Sequence, residues 1–194
     1  MSPLRITFPQ VIPTLNSERL VLKPITDADA DAYFSICSNP VVMRPWGTKC
    51  HESMDETRDL IQYLEQEFKH HRMIRWGVFE GGGSTLIGDV GFWRFVFPRA
   101  RAEIGAKLDP HVWNRGYMTE AMITVLDFGF RGMNLNSIEG NVDPENKGSI
   151  RMVEKLGFEQ EGYLREHSYC FFRERFVDTL LYSLRASQWK VQWT

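Results

Sequence analysis

The amino-acid sequence predicts a single-domain α/β fold, in which a mixed, twisted sheet of about seven strands is flanked by about four helices. The chain has 194 residues, which fit one large domain better than two, because domains usually contain about 100–200 residues. Apolar residues make up 43% of it, enough for a substantial core. Strand-like alternation and helical periodicity also follow one another along most of the chain.

The N-terminal part predicts one strand and two helices. The stretch 18–24, ERLVLKP, alternates apolar and polar residues and ends at a proline, as a strand does. Thr26 then precedes the acidic start of a first helix. A second helix is predicted over about 53–70. The connection between them is predicted to be a loop, in which Trp46 either fills a hydrophobic gap or forms a wall of a substrate groove.

The middle of the chain predicts a hairpin followed by another strand. Two strand-like stretches, 76–79 and 86–97, are separated by three glycines at 81–83, which supply the positive φ angles of a tight turn. Trp93 lies in the second stretch and is, with Trp46, a candidate contact for the substrate. The next stretch, 101–108, alternates again and predicts a further strand.

The C-terminal half predicts two helices, each preceded by a strand, and a final pair of strands. The helices cover 117 to about 131 and 146–156, the single strand covers 136–142, and the pair covers 163–170 and 176–184. A strand, a crossover helix and a second strand indicate a parallel β-α-β unit. The hairpins on either side indicate antiparallel neighbours, so the sheet is predicted to be mixed.

Charge and composition disfavour several classes of function. The formal net charge is −2, which gives no electrostatic argument for binding nucleic acid or an anionic membrane. The sequence contains neither a secretion signal nor an apolar run of membrane-spanning length, and a cytoplasmic protein is expected. The three cysteines are predicted to be reduced and mostly buried, and the histidines form no metal-ligand pattern.

The segment 111–122, HVWNRGYMTEAM, predicts an anion-binding site. A helix N-terminus presents unpaired N–H groups and partial positive charge. Gly116 lets a ligand approach the backbone closely, and Arg115 can add a charge-assisted hydrogen bond. The alternative is that Gly116 merely starts a helix. A nucleoside triphosphate or a dinucleotide is disfavoured, because the glycine patterns that bind them are missing from the sequence.

Two segments in order, LDPHVWNRGYMTEA and NVDPENKGSIRMVEKLGF, resemble the GCN5-related N-acetyltransferase (GNAT) superfamily, in its RimJ/RimL-like branch that acetylates the N-termini of ribosomal proteins. The resemblance extends over about 15–186, so residues 1–194 are expected to form one N-acetyltransferase domain with short extensions. It implies the element order β-α-α-β-β-β-α-β-α-β-β. It also implies acetyl-CoA as the acetyl donor and no metal.

The resemblance implies a cofactor site along the parallel β-α-β unit. The pyrophosphate lies on the backbone of 115–119, the pantetheine runs beside 104–108, and backbone N–H groups near Leu108 polarise the thioester. The implied cofactor-binding residues are Leu108, Asn114, Arg115, Gly116, Tyr117, Met118, Thr119, Asn146 and Ser149. The sequence departs from the usual phosphate-loop pattern of the superfamily at Trp113 and Met118, where a side chain makes the approach bulkier.

The catalytic residues are only partly implied by the resemblance. Many relatives have a tyrosine general acid where this chain has Val153. Ser149 is then the candidate proton donor to the departing thiolate, unless it only caps a helix. The candidate bases are Glu103, on the strand before the phosphate turn, and Glu166 and His167 in the final strand pair.

The expected acceptor is the N-terminal α-amine of a protein, in a direct attack within a ternary complex. An α-amine has a pKa of about 7.8 and a lysine one of about 10.4, so the α-amine needs a weaker base. A small-molecule amine, such as a polyamine or an aminoglycoside, and a catalytically silent acetyl-CoA-binding module are the alternatives. A homodimer is possible. Trp189 and Trp193, in the C-terminal tail, are expected to pack on the domain or on a partner subunit.

Overall fold

The computed structural model describes residues 6–82 and 84–190, in which eight strands and five α-helices occur. The strands are β1 Leu15–Asn16, β2 Leu20–Lys23, β3 Met73–Glu80, β4 Thr85–Val96, β5 Arg101–Leu108, β6 Ser137–Val142, β7 Glu159–Cys170 and β8 Arg175–Arg185. The helices are α1 Ala30–Cys37, α2 Pro40–Met43, α3 Met54–Lys69, α4 Tyr117–Asp127 and α5 Lys147–Lys155. The predicted α/β class is confirmed, and the predicted elements occur in the predicted order, with β1 and α2 as short additions.

All eight strands form one mixed sheet, in the order β1-β2-β3-β4-β5-β6-β8-β7. Neighbours pair antiparallel, except β5 and β6, which are parallel and are connected through α4. Parallel neighbours need a long crossover, and α4 provides it. The predicted parallel unit between antiparallel hairpins is therefore confirmed.

The two faces of the central strands differ in chemistry. One face carries Trp76, Phe92 and Ile104, which form the main core with Met122 and Val125 of α4. Because successive side chains of a strand alternate between the faces, the other face carries the residues between them. That second face includes Arg75, Asp89, Glu103 and Lys107, and it lies on the side of α1, whose Tyr33 hydroxyl donates to Asp89.

The structure corrects several predicted details. The connection at 41–51 contains helix α2 and a 3₁₀ turn, Arg44–Trp46, where a loop was expected. Asn39 caps α2 by accepting from the Val41 N–H, and Pro40 supplies the fixed φ of its first turn. A two-residue strand, β1, precedes the predicted first strand. The helix predicted to continue to 131 changes into a π-helical turn at Phe128–Gly132.

The predictions for the C-terminal tryptophans, the cysteines and membrane-spanning segments compare with the structure as follows. Trp189 packs against Phe130 and donates a hydrogen bond to Asp127 at 3.1 Å, whereas Trp193 and Gly83 lie outside the described residues. Two of the three cysteines are buried and all three are free, as predicted. None of the described helices combines the length and apolar character that crossing a membrane requires.

Candidate functional site

The parallel strands β5 and β6 separate soon after they begin to pair. Their pairing is limited to 101–103 of β5 with 137–139 of β6. Beyond this point β5 stays on β4 and β6 stays on β8. On the side that faces β6, residues 104–108 of β5 therefore have no strand partner in the described chain. Their backbone groups are available to an extended ligand.

A cavity of about 440 Å³ lies at this separation. Its walls come from β5, from β6, from α5 and from the β7–β8 hairpin, with Trp46 and Trp93 on the side of α2. The lining residues that carry the argument are Arg75, Glu103, Asn141, Ser149, Val153 and His167. The cavity thus brings together three of the four predicted catalytic candidates, namely Ser149, Glu103 and His167.

The predicted phosphate turn stands at the start of α4. Gly116 is the N-cap residue, with a φ of 80° and no side-chain cap. Its left-handed backbone favours glycine. Since neither Gly116 nor a neighbouring side chain caps the first turn, the N–H groups of that turn are left for a ligand. Arg115 and Asn114 are exposed beside it, and Tyr117, Met118 and Thr119 are half-buried.

Arg19 supports this turn, and sequence reasoning did not find it. Its Nη1 donates to the carbonyl of Arg115 at 3.0 Å, and its guanidinium lies 4.5 Å from the centre of the Tyr117 ring. Glu120 orients Arg19 through its Oε2, which accepts from the Arg19 Nε at 2.7 Å. Burial raises the pKa of Glu120, but hydrogen bonds from Ser17 and Arg19 outweigh it and lower the pKa overall. The carboxylate therefore stays charged and holds Arg19 in place.

The start of α5 separates a capping residue from a candidate acid. The side chain of Asn146 accepts from the backbone N–H of Ser149 at 3.0 Å and caps the helix. The Ser149 hydroxyl is not the cap, and it forms no hydrogen bond with any residue that the structure describes. It lies in the cavity wall, with Val153 one helical turn away. The capping alternative for Ser149 is therefore wrong.

The cavity offers hydrogen-bond partners for the pantetheine arm of acetyl-CoA, the acetyl donor that the resemblance implies. The side-chain Oδ1 of Asn141, on β6, is buried and has no hydrogen-bond partner within the described part of the chain. Buried acceptors are nearly always paired, so this atom indicates a donor on a ligand. The amide N–H groups of a pantetheine supply such donors. Across the cavity, the free edge of β5 supplies the complementary backbone groups.

Glu103 lies where β5 and β6 diverge. It is 8% exposed, and its Oε2 accepts from the Arg94 Nη1 at 2.9 Å. Arg94 is itself largely exposed. One carboxylate oxygen of Glu103 thus has a fixed partner, while the other can accept a proton from a ligand in the cavity.

A bulge in β7 determines the position of His167. Three residues of β7, 165–167, stand opposite Asp178 alone, and Glu166 has a φ of 46°. Asp178 holds the bulge by accepting from the Glu166 N–H at 2.9 Å. Bulges re-aim side chains and are frequent near active sites. His167 lines the cavity, whereas Glu166 is exposed and is not among the lining residues.

Leu108 and the two tryptophans occupy different ends of the site. The carbonyl of Leu108 accepts from the Trp113 indole at 2.8 Å, next to the phosphate turn. Leu108 is not among the residues that line the cavity, whereas Ile104 is, so the expected place of Leu108 beside the thioester stays a prediction. The Trp46 and Trp93 rings lie 5.9 Å apart in the opposite wall, so Trp46 forms part of a groove.

A charged cluster lies buried behind these tryptophans, and it was not predicted. Asp89 contacts Arg75 and lies 3.3 Å from the Nζ of Lys107. Burial is the largest cause that lowers the pKa of Lys107 from 10.5 to about 8, and the charge of Arg75 contributes to this lowering. Polar residues opposite an apolar core, at two-residue spacing, were the available signal for this cluster.

We expect the cluster to make the free energy of unfolding depend on pH in the alkaline range. Below pH 8 the folded state bears the full cost of a buried charged Lys107, and this cost disappears as pH rises to 10.5 because only the unfolded chain then binds the proton. The free energy of unfolding should therefore rise across this window by about 3 kcal/mol relative to the Lys107→Met variant. Chemical denaturation of both proteins between pH 7.5 and 10 measures the difference. Parallel curves would contradict it.

The comparisons with known proteins agree with this geometry. Residues 19–159 match the family model described as Acetyltransferase (GNAT) domain. N-acetyltransferase YoaA of Bacillus subtilis is 36% identical over 159 residues, which cover 82% of this chain and 90% of that protein. A GNAT-family acetyltransferase structure from Bacillus anthracis superposes with a TM-score of 0.80 at 25% identity, covering 90% of this chain and 99% of the other.

Two more distant relatives are named for different acceptors. Spermidine N(1)-acetyltransferase of Vibrio cholerae is 27% identical over 84% of this chain and 91% of that protein. The ribosomal protein uS5-alanine N-acetyltransferase of Escherichia coli is 25% identical over 90% of this chain and 92% of that protein. Relatives of similar distance thus include both a small-molecule acetyltransferase and a protein acetyltransferase.

Proposed function

Because this chain belongs to the GNAT acetyltransferase family, we propose that it transfers the acetyl group of acetyl-CoA to the N-terminal α-amine of a protein. The chain is an N-acetyltransferase of that family. The identity of the acceptor is the part of this proposal that goes beyond membership of the family. The open separation of β5 from β6 supports the binding of acetyl-CoA, and a cluster of exposed aromatic side chains beside the cavity, here called the aromatic rim, supports the protein acceptor.

The aromatic rim is the single observation that favours a protein acceptor. Tyr169, Phe171 and Phe176 are 45%, 50% and 60% exposed, and the two phenylalanine rings lie within 5.4 Å of the Tyr169 ring. Tyr169 also lines the cavity. Exposed aromatic side chains in a cluster are typical of protein-binding surfaces. A small amine enclosed in the cavity has no need of them.

Backbone groups account for most of the proposed contacts with acetyl-CoA. Acetyl-CoA supplies the acetyl group as a reactive thioester. The N–H groups of 115–119 hold its pyrophosphate, with Arg19 and Arg115 close by. The edge of β5 pairs with the pantetheine amides, and Asn141 accepts one of them. Backbone N–H groups near Ile104 polarise the thioester carbonyl.

The catalytic half is assigned to the side chains in the cavity wall. Glu103 takes a proton from the attacking amine, and the Ser149 hydroxyl donates one to the departing sulfur. His167 faces the same cavity and is the second candidate base. Glu166 is assigned the role of shaping the bulge that positions His167. Trp46 and Trp93 bound the acceptor side.

Two alternatives use the same cofactor half. A polyamine acceptor is favoured by the spermidine relative and by the acidic side chains of Glu103, Asp143 and Asp178 around the cavity. A silent acetyl-CoA-binding module is favoured by Val153, which leaves the usual tyrosine position without a hydroxyl. Both alternatives leave the contacts with acetyl-CoA unchanged. They differ in the amine that is acetylated, which is a polyamine in the first and none in the second.

The test is CoA release measured with a thiol reagent on a panel of amines. We expect turnover with short peptides that have a free N-terminal alanine or serine, and little with the same peptides acetylated at the N-terminus. Turnover of spermidine or an aminoglycoside alone would contradict the proposal. Calorimetric binding of acetyl-CoA without turnover of any amine would favour the silent module instead.

A further inference from the structure

The second face of the sheet carries buried charges that the proposed chemistry does not use. Asp89 is fully buried, and the side chains of Arg75 and Lys107 are only 7% and 9% exposed. Asp89 stands opposite Lys107 across β4 and β5, and Arg75 lies on β3, two residues from the position opposite Asp89. Buried charges are costly unless they are paired, because they lose their hydration. The presence of such a cluster therefore needs a physical explanation.

The charges of this cluster do not balance. Asp89 is the only carboxylate among the three, and its two oxygens are shared by Arg75 and Lys107. Its Oδ2 also accepts from the Tyr33 hydroxyl at 2.7 Å. Burial raises the pKa of Tyr33, so this hydroxyl stays protonated and contributes no charge. With both cations protonated, the cluster retains one positive charge.

Arg75 connects the cluster to the cavity. It lines the cavity wall, and its Nε is buried without a hydrogen-bond partner in the described part of the chain. The Trp46 and Trp93 rings lie 5.3 and 5.4 Å from its guanidinium and restrict its movement. A buried donor without an acceptor in the protein indicates an acceptor on a ligand.

The backbone beneath Arg75 is shaped for this arrangement. Gly91 lies opposite Arg75, and Gly105 lies opposite Gly91 on the next strand. A Cβ at Gly91 would stand 2.6 Å from the Arg75 Cα, and one at Gly105 would stand 2.2 Å from the Trp93 ring. The two glycines therefore leave the room that the arginine and the indole ring occupy.

We propose that the acceptor carries a carboxylate close to its reacting amine, and that Arg75, with Lys107 behind it, binds this carboxylate. The proposal rests on the proposed function, because it takes the cavity as the acceptor site. A carboxylate supplies the missing negative charge and can accept the unused N–H of Arg75. A polyamine would instead bring further positive charge to a cluster that is already positive.

Strand spacing places this carboxylate within the first residues of a peptide. Arg75 on β3 and the reaction site on β5 are two strand spacings apart, about 10 Å. An extended peptide advances about 3.3 Å per residue. With the amine at Glu103, an acidic side chain at the second or third position can reach Arg75. A free amino acid offers the same chemistry with its α-carboxylate nearer to the amine.

The test compares peptides that share an N-terminal alanine and differ only at the second or third residue, which is Glu, Gln or Lys. We expect the kcat/KM for a Glu peptide to exceed that for its Gln counterpart about tenfold or more, mainly through KM, and the Lys peptide to be the poorest. Free alanine, glutamate and aspartate form a separate arm. A better kcat/KM for a free amino acid than for every peptide would support the carboxylate and contradict the protein acceptor.

Variants of the buried charged cluster test whether it causes the preference for Glu over Gln peptides. Lys107→Met keeps the neutral Arg75–Asp89 pair and should reduce the Glu-over-Gln ratio several-fold, and Arg75→Met should remove it. Arg44→Met, which removes an exposed arginine near Trp46, should keep the full ratio. Thermal melts check folding, and the Lys107 variant carries the test if the Arg75 variant does not fold.

The outcomes separate this inference from the proposed function. Peptide turnover with equal kcat/KM for Glu and Gln, or with Lys preferred, overturns the inference and leaves the α-amine function standing. A Glu preference that survives Lys107→Met and Arg75→Met, when both fold, also overturns it. Turnover of polyamines without peptides overturns both.

Discussion

Replacing Gly116 by valine should weaken acetyl-CoA binding about 100-fold or more. A β-branched residue strongly disfavours a φ of 80°, so the turn must change and the N–H groups of 115–119 lose their common direction. The loss of two charge-assisted hydrogen bonds to phosphate costs roughly 3 kcal/mol or more, which corresponds to this factor. The added Cβ would also stand 3.4 Å from the Arg19 Nη2. Isothermal titration with acetyl-CoA measures the loss.

A matched control distinguishes strain from lost binding. Gly82, in the β3–β4 turn, has a φ of 77°, and a Cβ added there would meet open space. Gly82→Val therefore introduces similar backbone strain far from the site. We expect it to lower the melting temperature about as much as Gly116→Val and to leave the affinity for acetyl-CoA unchanged. Equal affinities of the two variants would refute the assignment of the turn.

Replacing Ser149 by alanine should lower kcat about 100-fold, in line with the usual contribution of a general acid, with little change in the affinity for acetyl-CoA. Asn146 caps α5 through the backbone N–H of Ser149, so the substitution removes the hydroxyl and leaves the cap intact. The departing thiolate then has no proton donor at this point of the cavity. Steady-state CoA release, with a thermal melt of the variant, provides the measurement.

The conservative variant Ser149→Thr serves as the control, because it retains a hydroxyl at the same position. It should recover a large part of the lost kcat if the proton donor is this oxygen. If Ser149→Ala keeps full kcat, or if both variants lose activity and melting temperature together, the hydroxyl has no role as an acid and Ser149 is structural.

The parts of the fold that were predicted correctly depend on local signals. The helix that begins after Gly116 and the helix predicted from 146 follow from residues within a few positions of each other. The parallel unit around α4 follows from the order of strand and helix patterns. The connection at 41–51 was misassigned because its proline and glycine indicate a turn, although Asn39 and Pro40 are also a helix start.

The parts of the candidate site that were missed depend on distant contacts. Arg19 and Glu120 meet although they are 101 residues apart. Arg75 joins Asp89 across the β3–β4 pair, which only the strand register brings together. The bulge at Glu166 adds residues to β7. The alternation of side chains along this strand in the sequence shows no interruption clear enough to predict the bulge. None of these leaves a periodic pattern in one short segment.

The separation of β5 from β6 also affects how the two halves of the protein are joined. Only three residue pairs of β5 and β6 connect β1–β5 with β6–β8 through the described sheet. In the proposed complex, a pantetheine that pairs with β5 and contacts Asn141 would bridge the gap as a temporary strand. At 100 times its dissociation constant, a ligand of this kind stabilises the fold by about 2.7 kcal/mol. If this pairing forms, the substrate is a structural member of the sheet, and each departure of CoA would briefly loosen the joint between the two halves.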